Sequence, residues 1–384
     1  MRELVIIGAG AAGMTAAVTA KQAGLEPLLV DTYSHAGGHY YKQAATQEAR
    51  ASRRQTEFND LQGQLKKLAV ECWQSANVWS VVQDPEAGDF QVHIEHQAKS
   101  LCVHARYLLL CTGAYDRPLI FENWHLPGVM TLGGAQMLLK GQSLVPGKNV
   151  MVAGSGPLLL AVAAALAKAG ANVRAVLDTA SYTQGLGSIA GLVGQPEKLQ
   201  DASDYLLTLL RHRIPIKCRH TIFRVEGQQR VERVIYGKVD AQGKPLWQTA
   251  QVAEVDAICA SAGFLPNIAM SKHLGCEHHF NPQLDAHFPK HDKNMQTSVN
   301  NLYVAGDITT VGGKEHAKLQ GELAALAIVQ QVNKLSTHDF NRNASLIRHK
   351  LEREQRFLSL IHARMKPLAQ LHELMTDDTY ICRC

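Results

Sequence analysis

The sequence predicts an α/β fold of two Rossmann-like domains, the first discontinuous, with a helical C-terminal tail. Three observations carry that expectation. An apolar run, Leu4–Ile7, meets Gly8-Ala9-Gly10-Ala11-Ala12-Gly13, and Asp31 closes the next apolar run 23 positions after Gly8. The plan repeats at Asn149–Gly154, Gly156 and Asp178, the acid standing 24 positions after Gly154. A third apolar run, Leu302–Ala305, ends in Gly306-Asp307 and returns the chain to the first unit. The expected domains are residues 1–120 with 262–332, residues 121–261 between them, and a tail over 333–384.

Taken in order, the first unit is strand, turn, helix and strand with the spacing of a dinucleotide fingerprint. Gly8 allows the tight turn, Gly10 lets backbone approach a pyrophosphate, and Gly13 lets the helix over Met14–Ala23 pack on the strand. The start of that helix, at Ala12, offers N–H groups and a positive dipole end to phosphates. Asp31 suits a ribose 2′-hydroxyl, and its charge would repel a 2′-phosphate. Gly37-Gly38-His39-Tyr40-Tyr41 reads as a loop able to bring backbone against a ligand. Helical spacing follows over 44–70 (Phe58, Leu61, Leu65, Leu68). Val78–Val82, Phe90–Ile94 and Ser100–His104 alternate as short antiparallel strands. Tyr107–Cys111 reads as a separate buried parallel strand that delivers Thr112-Gly113 to the sheet edge where ligands bind.

A connector over Phe121–Gln142 leads to the second unit. There Leu159 holds the place of the third glycine, so the second helix is expected to stand further from its strand. Gly154, Gly156, Pro157 and Asp178 are its candidate nucleotide contacts, and whether it binds a nucleotide is left open. An amphipathic helix over Glu197–Arg211, strands at Ile222–Val225 and Val231–Tyr236, and the run Val255–Asn267 complete this domain. After Gly312-Gly313 comes a long helix, Glu315–Gln331. In the tail, Ile347, Leu351, Leu358, Ile361 and Met365 form an apolar stripe at helical spacing. It reads first as a helix packed on the parent domain and second as a partner-binding helix.

Composition narrows the function. At 384 residues, 46% hydrophobic and 19% charged, the chain has the balance of a soluble protein of two or three domains. A net charge of +5 without a basic tract gives no footprint for nucleic acid. Apolar Leu4–Ala20 imitates a secretory signal, but the three glycines fit the fingerprint better. The uncharged run Met151–Ala167 is broken by Gly154, Gly156 and Pro157, so no membrane span is read there and a cytoplasmic protein is expected. The sequence has no Cys-x-x-Cys, which argues against a redox disulfide between neighbouring cysteines. Cys72, Cys102, Cys111, Cys218 and Cys259 read as small core residues. His35, His39, His125 and His316 lie near the motifs and read as structural or solvent-exposed, so no catalytic residue is named.

Together these motifs resemble the two-dinucleotide-binding-domain flavoproteins, with a thioredoxin-reductase-like fold. More narrowly they resemble the alpha (A) subunits of opine oxidases, hydroxyproline and proline dehydrogenases, and hydrogen cyanide synthase. The narrow resemblance rests on Gly37-Gly38 with Tyr41-Lys42, Thr112–Pro118, Trp124–Gln136, Gly154–Leu160 and Gly263–Asn267. It implies FAD in the first domain, held by Gly8, Gly10, Ala12, Gly13 and Asp31, with Gly37, Gly38 and Tyr41 on the flavin side. It also implies Thr112-Gly113 against the cofactor and Gly306-Asp307 at the ribityl chain, where a simple helix cap is the plainer role for Asp307. His39 departs from the pattern, which has glutamine there, and Leu159 departs from a full second fingerprint. Relatives continue from a Cys-x-Cys into a four-cysteine module that binds a 2Fe-2S cluster. Here Cys382 and Cys384 supply only half of such a metal site, so a cluster is not expected in this chain alone. The resemblance implies an electron-transferring subunit beside a beta flavoprotein that oxidises an amine or imino acid. A self-sufficient NAD(P)H-dependent reductase and a nucleotide-stabilised scaffold are the alternatives, the second site taking NAD(P) or ATP.

Overall fold

The computed structural model describes residues 1–41, 53–181 and 196–363. Its first sheet grows from β1 (Arg2–Ile7), where Leu4 and Ile6 enter one core and Val5 and Ile7 the other. A strand covered on both sides needs no polar face, hence the unbroken apolar run. α1 (Ala11–Gln22) follows the glycine turn and leads to β2 (Pro27–Val30), parallel to β1. α2 (Arg53–Lys67) lays Phe58, Leu61 and Leu65 on the same core. β3 (Glu71–Trp73) lies beside β2, while β4 (Ala76–Gln83), β5 (Phe90–His96) and β6 (Lys99–Leu110) form an antiparallel meander.

Two expectations need correction here. The two strands read over 100–111 are one strand, β6, 12 residues long. Its first half pairs antiparallel with β5 and its second half runs parallel to β1. The hydropathy pattern changes midway because the surroundings change: the outer half alternates toward solvent, whereas Tyr107–Leu110 is buried throughout. Cys111 and Cys259 are indeed core residues, but Cys72 and Cys102 are exposed. Cys72 sits on an edge strand and Cys102 on the outward side of the alternating half of β6.

β7 (Ala114–Pro118), β8 (Val129–Met130) and α3 (Leu132–Gln142) carry the chain into a second sheet. Thr131 caps α3 by accepting from the Gly134 N–H. β9 (Asn149–Gly154), α4 (Pro157–Lys168) and β10 (Asn172–Asp178) repeat the plan of β1, α1 and β2. α5 (Pro196–Arg211) packs on α4 through Tyr205 and Leu209, and β11 (Ile216–Cys218) pairs with β10. β12 (His220–Glu226), β13 (Arg233–Lys238) and β14 (Gln251–Glu254) form a three-stranded sheet over the other face. β15 (Ala257–Pro266) then inserts between β9 and β7. Leu159 is fully buried with Val152 and Ala163. In the first unit a Cβ at Gly13 would stand 1.9 Å from the Gly8 carbonyl oxygen, so a helix bearing leucine at that place cannot sit on its turn as α1 does.

α6 (Ala269–His273) and the hairpin β16 (His278–Asn281) and β17 (Ala286–Pro289) precede β18 (Leu302–Val304), which pairs parallel with β6 and makes the first sheet seven-stranded. α7 (Gly313–Gln331) crosses α1 at backbone contact: a Cβ on Gly321 would stand 2.2 Å from the Ala12 carbonyl oxygen. α8 (Thr337–His362), capped by Ser336, lays Phe340, Ala344 and Ile347 on this core, so the tail helix packs on its parent domain. Met365, Cys382 and Cys384 lie outside the described residues. Lys198 of α5 pairs with the buried Glu354 of α8 at 2.8 Å, its Nζ 3.9 Å from the centre of the Phe357 ring, and so links the second unit to the tail. Among the described residues no helix is long and apolar enough to cross a membrane.

Candidate functional site

β1, β2, β6 and β18 are parallel and end at one edge of the first sheet, where a cleft of about 700 Å³ opens. That volume is in the range of cofactor sites, about 300–1,000 Å³. The glycine turn forms its floor. Gly8 has φ +105°, and a Cβ there would stand 2.3 Å from the Cys111 carbonyl oxygen. Gly10, by contrast, has an ordinary φ of −75° and faces open space, with nothing within 4 Å of where its Cβ would be. The first-turn N–H groups of α1 find no carbonyl within the helix and remain available to an anion. Gly38 comes down beside Gly10, and the Gly37 N–H donates to the Ala9 carbonyl at 2.7 Å, which ties the two loops together.

Asp31 lines the cleft and also holds its floor. Its buried carboxylate accepts from the Ala9 N–H at 2.5 Å and from the Tyr33 N–H at 2.8 Å. Each oxygen accepts more than one hydrogen bond, so this duty leaves capacity for a hydroxyl in the cleft. On the opposite wall, the Thr112 hydroxyl donates to the Asn267 carbonyl at 2.7 Å, and the Asn267 N–H donates to the Gly113 carbonyl at 2.9 Å. These bonds join the point where the chain leaves the first unit to the point where it returns. Gly306 closes the far end, its N–H donating to Gln320 Oε1 at 2.8 Å. Asp307 Oδ1 accepts from the Gly312 and Gly313 N–H groups at 3.1 and 3.3 Å, so the acid covers the start of α7. Burial pushes the Asp307 carboxyl up, while those N–H groups, His39 and His362 pull it back.

The cleft brings together Gly8, Gly10, Ala12, Asp31, Gly37, Gly38, Thr112, Gly113, Gly306 and Asp307 of the residues singled out from sequence. It does not take in Gly13, which serves helix packing, or Tyr41, which is turned into the core against Phe58 with ring centres 5.7 Å apart. Tyr40 lines the wall instead. In the second unit Gly154 and Asp178 face each other across β9 and β10, and Asp178 Oδ1 accepts from the Ala180 N–H at 2.9 Å. Gly154, Gly156, Pro157 and Asp178 lie on the second sheet, away from this cleft.

Sequence reasoning missed Lys314 and Tyr33 on the cleft wall. Lys314 pairs with Glu57 and lies 5.4 Å from the centre of the Tyr40 ring. Burial alone would lower its ammonium, but Glu57 and Tyr40 hold it above its usual range. Its place just after Gly312-Gly313 was the available signal, and Glu57 is 257 residues away. His316, read as structural, is buried in the first turn of α7, and burial pushes it down to about 4, so it is neutral at ordinary pH. Cys111 ends β6 at the cleft, and full burial pushes its thiol well up, away from reactive thiolate chemistry.

The glycine backbones, the free helix N-terminus and the buried acid fit a dinucleotide. The family model of the pyridine nucleotide-disulphide oxidoreductases matches residues 2–330. The chain belongs to this family. As a member it is an oxidoreductase of FAD-dependent type. It is similar to hydrogen cyanide synthase subunit HcnB of Pseudomonas aeruginosa, 29% identical over 99% of this chain and 82% of the relative. It is also similar to the alpha (A) subunit of opine oxidase from Agrobacterium tumefaciens, 30% identical over 100% of this chain and 76% of the relative. Among solved structures it shares the fold of L-proline dehydrogenase from P. horikoshii, with TM-score 0.65 and 21% identity, covering 91% of this chain and 58% of that one. This family member therefore spans less than two thirds of that dehydrogenase chain.

Proposed function

We propose that this protein binds FAD in the first-unit cleft and serves as the electron-transferring alpha subunit of a heteromeric dehydrogenase or oxidase of amines or imino acids. Bound there, FAD supplies two-electron chemistry. In this reading Gly10 and the start of α1 hold the pyrophosphate, Asp31 the adenosine ribose and Asp307 the ribityl chain, while Gly37, Gly38, Thr112 and Gly113 bound the flavin end. The N-terminus of α7, with Lys314, favours negative charge at that end. Support for an electron-transfer role comes from Cys111. It is the one cysteine on the cleft wall among the described residues, and it is buried with a raised thiol, so the wall offers no dithiol to accept electrons as a disulfide reductase would. The two relatives named as subunits, of hydrogen cyanide synthase and of opine oxidase, support a partner that carries the substrate chemistry. The second unit takes an adenine nucleotide in this reading, and NAD(P)H is not the reductant.

Absorption of the purified chain, identification of the nucleotides it releases and anaerobic addition of NADH or NADPH test the proposal. A yellow protein that releases FAD and keeps its colour with either reductant for minutes is expected. Rapid bleaching would make it a self-sufficient reductase. A colourless protein releasing only adenine mononucleotides would make it a scaffold. Copurification with a second flavoprotein that reduces the bound flavin when an imino acid is added tests the subunit role.

A further inference from the structure

α5 has two apolar faces. The inner one, Tyr205 and Leu209, is spent on α4. The outer one presents Leu199, Leu206, Leu207 and Leu210, which are 45, 37, 49 and 72% exposed, with Ser203 among them. At 3.6 residues per turn these positions share one side of the helix over about 17 Å. A surface helix anchored on its inner face gains nothing from leucines outside, and a contiguous apolar strip of this kind marks a contact surface.

The charges beside the strip indicate what covers it. Asp204 and Arg211 lie two turns apart on the same edge of the strip. They are separated by roughly 10 Å along the axis, too far to pair with each other. The helical neighbours that each could reach carry no opposite charge: Gln200, Asp201, Leu207 and Thr208 for Asp204, and Leu207 and Thr208 for Arg211. We propose that a second copy of this chain covers the strip, the two α5 helices packing antiparallel about a two-fold axis beside Leu207. In an antiparallel pair an edge of one helix meets the same edge of the other. Asp204 therefore faces Arg211 of the second copy, and the contact occurs twice. An acid and a base on one edge of one helix is the self-complementarity that a two-fold interface requires. An unlike partner would place no such demand on this chain.

Sedimentation of the full chain from micromolar to sub-millimolar concentration tests this, with circular dichroism confirming that each variant is folded. The wild type is expected to dimerise, and Leu210→Asp to be a folded monomer. Asp204→Arg and Arg211→Asp each oppose like charges twice across the axis and weaken dimerisation about tenfold or more. The double variant Asp204→Arg/Arg211→Asp exchanges the pairs and restores it. A wild type that stays monomeric throughout, a dimer indifferent to Leu210→Asp, or a double variant that fails to recover would overturn the proposal. So would a monomer that binds an unlike protein through this strip.

Discussion

Replacing Gly13 by alanine puts a methyl group 1.9 Å from the Gly8 carbonyl oxygen, where real Cβ atoms keep at least 3.0 Å. α1 must retreat by about the difference, 1.1 Å, yet its other side is pinned: Gly321 of α7 is in backbone contact with Ala12. Overpacking against two rigid backbones belongs at the upper end of its usual cost, about 3 kcal/mol. Alanine regains about 1 kcal/mol over glycine inside a helix. The net loss is about 2 kcal/mol, roughly a thirtyfold change in the unfolding equilibrium. Gly10→Ala is the matched control, since its methyl group meets open space at an ordinary φ. It leaves the nucleotide-free protein as stable as the wild type and weakens the nucleotide, because the methyl group stands in the cleft. Urea unfolding of the nucleotide-free proteins separates the two, with dialysis against free FAD reporting binding. A Gly13→Ala protein as stable as wild type, or a Gly10→Ala protein destabilised like it, would refute this division of labour.

Asp31→Asn turns an amide N–H₂ toward either the Ala9 or the Tyr33 N–H, and burying that clash should cost about 1–3 kcal/mol even without nucleotide, measured by urea unfolding. No loss would show that Asp31 serves the ligand alone. Asp307→Asn keeps an oxygen to accept from Gly312 and Gly313, so the fold stays within about 0.5 kcal/mol of wild type; Asp307→Ala removes the acceptor and costs about 1 kcal/mol, and both should lose FAD on gel filtration. His316 is held neutral in the fold, down to about 4, against about 6.5 unfolded. The unfolded chain therefore binds the extra proton between these values, and this contribution is complete above about pH 6.5 and lost as pH falls to about 4, worth on the order of 3 kcal/mol. His362 adds in the same direction, while the raised Asp116 and Asp307 oppose it. His316→Leu should flatten the profile in that window, and an unchanged slope in unfolding midpoints would count against the assignment.

How much of this could be read from the sequence depends on how local each cause is. The floor of the cleft is a ten-residue affair of turn and helix start, so Gly8, Gly10 and Asp31 are placed correctly by spacing alone. The second use of Asp31, holding Ala9, needs coordinates because it depends on where a carboxylate points. Tyr40 and Tyr41 are adjacent and alike, and only the packing of Phe58 decides which of them faces the cleft. β6 defeated the reading of periodicity because one strand passes through two environments. Lys314 with Glu57, and Arg117 with Asp285, are pairs made across hundreds of residues, and no local pattern foretells them.

β6 also sets an order of events. Its outer half finds β5 within a few residues and its inner half finds β1 about a hundred residues back, but its last neighbour, β18, lies beyond the whole second unit. A ribosome making this chain therefore releases the glycine turn early and the strand that carries Gly306-Asp307 late. During that interval Leu108 and Leu110 have one flank uncovered, and the cleft lacks its far wall. The nascent first domain waits, with a half-built pocket and an open sheet edge, until residue 304 emerges. Cofactor capture is thus a late step of synthesis, made possible only after the second unit has had time to fold.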